Sequence, residues 1–149
     1  MSREIPSLWS ELLKPGILSP LAILKSQAEA LKEQTNSILV PEIYSEEHLP
    51  RIKHTLIIVV PALDGFRYSA LEIVHHKDRP YPVFTLGPGL THFRDEFNKY
   101  VQQGVKTPAI DSKLRADNED DFILLLSKML QHSTLVGTLQ GLIARVSDI

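Results

Sequence analysis

Histidine has the widest chemical range of any side chain in this 149-residue sequence, and six are present: His48, His54, His75, His76, His92 and His132. A neutral imidazole binds a metal ion through either ring nitrogen, and near neutrality it also takes up or releases a proton. A metal centre needs its ligands gathered on one face, as with two histidines at i and i+4 of a helix. No such pair occurs here, and the adjacent His75 and His76 point to opposite faces of any strand that carries them. His54 meets one of them only if strand register allows. No metal centre is therefore expected.

Carboxylates next to such histidines would supply acid–base chemistry, and Asp64 and Glu72 lie on consecutive strand-like segments. If the chain is a catalyst, His54, Asp64, Glu72 and His75 are the candidate catalytic residues of a small hydrolase or metal-dependent nuclease. A nuclease of the PD-(D/E)xK type needs its acid and lysine two residues apart, aimed at one ion. Val74 stands at that position after Glu72, while Lys77 falls on the other pleat face. Gly87-Pro88-Gly89 lacks the lysine and hydroxyl residue of a phosphate loop, and the nucleophile elbow G-x-S-x-G is missing. The absence of cysteine excludes disulfides, thiolate metal sites and cysteine nucleophiles together. No cofactor is expected.

Basic and aromatic residues mix from Arg51 to Tyr81, and with Trp9 they supply the candidate binding residues: Trp9, Arg67, Tyr68, His75, His76, Arg79 and Tyr81. On an uninterrupted strand Arg67 and His75 share one side, while Tyr68, Glu72 and His76 share the other. Such a zone reads as a solvated sheet face with ion pairs, Glu72 with a neighbouring arginine for example, or as a recognition face for an acidic partner.

The elements that must position these residues read as α+β. Residues 1–19 form an arm in which Leu8, Trp9, Leu12 and Leu13 fit one side of a two-turn helix that packs back onto the body. Alternatively the arm docks into a partner's groove, with Trp9 as its anchor. Ser19-Pro20 is an N-cap followed by a first-turn proline, opening a helix over 20–37 with the apolar stripe Leu21, Leu24, Ala28 and Leu31.

Residues 38–87 turn β-branched and read as a three- to four-stranded antiparallel meander. Pro61 ends regular pairing, and Asp64-Gly65 and Lys77-Asp78-Arg79-Pro80 make the turns. The helical period returns over 90–104, residues 105–117 read as loop, and helices follow over 118–132 and 134–146. Asn118 caps the first of that pair, with Glu119, Asp120 and Asp121 in its opening turn. Gly137 and Gly141 read as small residues that let the preceding helix or a second subunit approach closely. The three C-terminal helices are expected on one face of the sheet, with Leu24, Leu31, Ile58, Val60, Phe97, Leu125, Leu126, Leu139 and Ile143 in the core.

Composition narrows the function classes. Sixteen basic and eighteen acidic residues leave a net charge of −2, which argues against a large non-specific nucleic-acid term. Of the last two helices, the second offers bases only Gln140 and Arg145, and the first opens with three acids that repel phosphate. The apolar run Leu56–Leu63 is far short of the roughly 20 residues of a spanning helix, and no export or lipidation signal is present, so a cytoplasmic location is the default expectation. The run also implies apolar side chains on both sheet faces, the second to be covered by the N-terminal arm or by a second copy of the protein, which points to a homodimer. The leading expectation is a non-catalytic protein-binding module of the inhibitor, adaptor, immunity or antitoxin kind, acting through a sheet face or the N-terminal arm.

Overall fold

The computed structural model describes residues 4–10, 13, 15–86 and 115–149. Its order is helix α1 (Pro20–Gln34), strands β1 (Val40–His48) and β2 (Arg51–Val60), a 3-10 turn (Pro61–Leu63), strands β3 (Phe66–His76), β4 (Val83–Leu86) and β5 (Arg115–Ala116), then helices α2 (Glu119–Leu130) and α3 (Ser133–Ser147). The fold class is α+β, with one five-stranded antiparallel sheet in the order β1-β2-β3-β4-β5. The helix expected over 90–104, with Phe97 and His92, lies outside the described residues, as does the Gly87-Pro88-Gly89 turn.

Local chemistry explains most of the boundaries. Ser19 Oγ accepts the Ala22 amide at 3.2 Å and Pro20 starts α1 without an amide to leave unpaired. The helix stops where Asn36 and Ser37 take left-handed backbone angles, and Thr35 Oγ1 donates to Leu31 O at 2.9 Å. Asn118 Oδ1 accepts the Asp121 amide at 2.8 Å to open α2, with the three acids in its first turn. β2 ends at Val60 because Pro61 cannot extend the ladder. The chain reverses through Asp64 and Gly65, both at positive φ.

Arg115-Ala116 departs from the loop expected over 105–117: it pairs with β4, Val83 opposite Ala116 and Phe84 opposite Arg115. Two residues are too short for any periodicity to register.

All three described helices contribute to one buried cluster with the sheet. Ile23 and Leu24 of α1, Phe122, Leu126 and Met129 of α2, and Leu135 and Leu142 of α3 join Leu56, Ile58, Val60, Leu71, Ile73 and Val83 in one buried cluster. Leu31, Leu125, Leu139 and Ile143 pack around its edge, half-buried rather than central. The apolar run of α2 does not all turn inward, because Ile123 and Leu124 face out. Among the described residues of the chain nothing approaches Gly137 or Gly141 closely: a methyl group added at either would meet nothing within 4 Å, so the preceding helix does not pack there.

A β-bulge decides which side chains share a face. Leu56 pairs with Leu71 but Ile57 pairs with Ser69, so Ala70 is the extra residue and the alternation of β3 inverts across it. Tyr68 therefore joins His75 on the helix side, while Arg67 joins Glu72 and His76 on the open side. Both pairings are opposite to those expected of an uninterrupted strand.

Candidate functional site

Ser45 on β1 lies directly opposite His54 on β2, and His75 on β3 lies diagonally across from His54, since Ile52 pairs with His75 and His54 with Ile73. All three side chains project to the helix side, near the end of the sheet where β2 begins. Ser45 Oγ is 2.6 Å from His54 Nδ1, and His54 Nε2 is 3.1 Å from His75 Nε2. His75 Nδ1 faces the carbonyl oxygens of His76 at 2.9 Å and Arg79 at 3.2 Å.

Those two carbonyls have no proton to give, so Nδ1 of His75 carries it and donates. In the neutral ring, Nε2 of His75 is then a bare lone pair. It accepts from Nε2–H of His54, whose Nδ1 in turn accepts from the Ser45 hydroxyl. The result is a continuous chain of hydrogen bonds across three strands, running from an exposed serine, through a histidine only 4% exposed, to a half-buried one. Burial pushes the His54 imidazolium down to about 4, aided by the charges of His75 and Lys25. His54 is accordingly neutral at pH 7.

The two carboxylates proposed beside these histidines are elsewhere. Glu72 projects from the opposite sheet face, paired with Thr55. Asp64 sits past the far end of β2, roughly 20 Å of strand and a 3-10 turn away. Among the described residues no group of three or more histidines and acids could hold a metal ion. The other described histidines serve local structure. His132 Nδ1 accepts the Thr134 amide at the start of α3, His76 Nδ1 accepts the Asp78 amide, and His48 sits 3.4 Å from Glu46. Ser45 escaped the sequence reading because its signal is a cross-strand register, which no local motif encodes.

The proposed binding residues do not form one surface. Arg67 and His76 face the open side of the sheet, and Tyr68 and His75 face the helices. Arg79 lies in the β3–β4 turn. Tyr81 is a structural tether: its hydroxyl donates to Leu18 O at 2.8 Å, its ring meets Phe122 edge-on at 6.5 Å, and burial raises its ionisation to about 12.

Two basic side chains of the open face already have acids beside them. Arg67 lies 3.3 Å from Glu42 (not Glu72), and Lys53 lies 3.3 Å from Glu46, whose carboxyl is lowered by hydrogen bonds from Lys53 and His48. Lys77 lies 3.6 Å from Glu47 beyond the β1–β2 hairpin. Between these pairs Ile57, Val59 and Val74 are half-buried, while Tyr44 and Phe84 are exposed.

Trp9 stands apart from all of this, 80% exposed, and Ile5, Leu8 and Leu13 are exposed with it. The arm is extended or turn-like at Leu8 and Trp9, so the two-turn helix packed on the body is not found there. The arm is tied at its root, through Tyr81 and a 3.3 Å bond from the Leu18 amide to Glu119 Oε2. Nearby, an apolar cavity of about 760 Å³ opens between α1, α2 and α3, with Leu18 on its rim and Leu31, Leu130, Leu139 and Ile143 in its walls.

No single described helix is long and apolar enough to cross a membrane; α2 and α3 reach that length only together, across a 54° bend. No family model, curated protein or solved structure matches the chain, so its own geometry carries the functional reading.

Proposed function

We propose that the chain is a non-catalytic protein-binding module whose N-terminal arm inserts into an apolar groove of a partner protein, with Trp9 as the anchor. The observation that supports this is the exposure of Ile5, Leu8, Trp9 and Leu13 together within nine residues of one another. Large apolar side chains gain roughly 1.5–3 kcal/mol each on full burial, and this arm leaves four of them in water. Tryptophan and leucine at successive positions, with further leucines one turn on, suit a segment that becomes helical inside a groove. The anchored root at Leu18 limits how far the arm wanders and so lowers the entropy lost on docking.

Trp9 is the sole tryptophan, which makes the arm its own reporter. Its fluorescence should be that of a solvated indole in the free protein and should shift to the blue when partner is bound. Capture from native-host lysate on immobilised protein should retain a species that Leu8→Ala/Trp9→Ala protein loses. Equal retention by both proteins sinks the reading. A blue shift that grows with the concentration of the pure protein alone, accompanied by a doubled mass in light scattering, would assign the arm to a second copy instead.

The alternative of a hydrolase or nuclease working through His54, Asp64, Glu72 and His75 keeps only its histidines in one place.

A further inference from the structure

The His54–His75 contact is the feature that protein binding leaves unused. We propose that their two Nε2 atoms form a two-histidine site for a late first-row divalent transition-metal ion such as Zn²⁺ or Ni²⁺, with water or an anionic oxygen ligand completing the coordination.

Geometry is the first support. Two nitrogens on one ion at about 2.0–2.1 Å lie about 2.9 Å apart at a right angle and about 3.3 Å apart in a tetrahedron, and these lie at 3.1 Å. Two imidazoles on a tetrahedral ion hold their ring centres about 5 Å apart, and these are 5.2 Å apart, tilted by 32°.

The outer nitrogens are the second support. A ligating histidine almost always gives its other N–H to an oxygen, which fixes the tautomer and makes the ligating nitrogen more basic. His75 does this to the carbonyls of His76 and Arg79. His54 has the Ser45 oxygen at the corresponding place. When the ion enters, His54 moves its proton from Nε2 to Nδ1, and the Ser45 oxygen turns from donor to acceptor. Both histidines are held on adjacent strands of one ladder, so a tilt of the two rings brings their lone pairs onto the ion.

Neutral imidazole is the form that binds a metal, and burial keeps His54 in that form. The charge of Lys25, felt at His54, works against a bare dication and favours an anion as co-ligand. With only two protein ligands, at least two positions are open for that anion and water.

The test uses untagged full-length protein, stripped with chelator, titrated calorimetrically with ZnCl₂ and separately with NiCl₂. One ion per chain should bind, and either metal should raise the melting temperature in proportion to the logarithm of its concentration. His75→Ala should abolish both effects. Ser45→Ala, which removes the outer oxygen of His54, should weaken binding about tenfold or more. His48→Ala and His132→Ala should leave it unchanged. If His54→Ala fails to fold, the half-buried His75 decides the matter alone. Neither heat nor melting shift at millimolar metal in folded wild-type protein overturns the proposal. So does binding that survives His75→Ala, which would place the metal on surface histidines.

Discussion

Burying an imidazole strips the charged form of its hydration, and at His54 the cost falls on the proton rather than on the fold. Its ring nitrogens are both satisfied by Ser45 and His75 in the neutral state, while protonation would leave a cation in the cluster of Leu56 and Ile73. The folded value near 4 against 6.5 has a definite sign. Above pH 6.5 folded and unfolded chains both hold His54 neutral and the full stability is present. Between pH 6.5 and about 4 the unfolded chain takes up a proton that the native one refuses, so stability falls as pH falls. The loss amounts to at most about 3 kcal/mol. Thermal melts in chelator-containing buffer at pH 7, 5.5 and 4.5 should show it. His54→Asn protein, if folded, should lose less across the same range. Equal slopes for the two proteins would mean that His54 is not the group responsible.

Helix α3 has a clearer expectation than any other element. Gly137 and Gly141 sit in its interior at ordinary helical angles, exposed, with free space where a methyl group would go. A glycine there costs about 1 kcal/mol relative to alanine, because the unfolded chain has more conformations to lose. Gly137→Ala and Gly141→Ala should each raise the melting temperature by a few degrees, measured by circular dichroism. A fall instead would show that this face is pressed against something in solution. Strand β3 carries the opposite lesson, in that one inserted residue at Ala70 changes which side chains are neighbours. Without it, Arg67 would face the helices and Tyr68 the open side of the sheet. The bulge leaves Arg67 free to reach Glu42 instead.

For the whole molecule, the arm contributes exposure rather than core. Ile5, Leu8, Trp9 and Leu13 make no part of the buried cluster, whose N-terminal members are Ile23 and Leu24. Removing residues 1–16 should therefore leave the melting temperature unchanged within about 2 °C, since surface changes away from packed features usually cost under about 0.5 kcal/mol. It should at the same time abolish partner capture. Leu18 is kept in that variant because its carbonyl and amide bind Tyr81 and Glu119. A marked drop in melting temperature would mean that the arm seals the body.

Helix α1, the strand region and the two C-terminal helices were legible from residue order, because their signals are local. Ser19-Pro20, Asn118 with its three acids, and Pro61 act within a few positions of themselves, and apolar spacing reports which side of a helix turns inward. Contacts made between distant residues left no such trace. Ser45, His54 and His75 meet only because three strands take one particular register, and a cross-strand alignment is set by the packing of the whole sheet, not by any window of the sequence. The two-residue strand β5 exists only because β4 offers it an edge. The fate of the arm is likewise tertiary: the same apolar pattern serves a buried seal or an exposed anchor, and only the surface it meets decides between them.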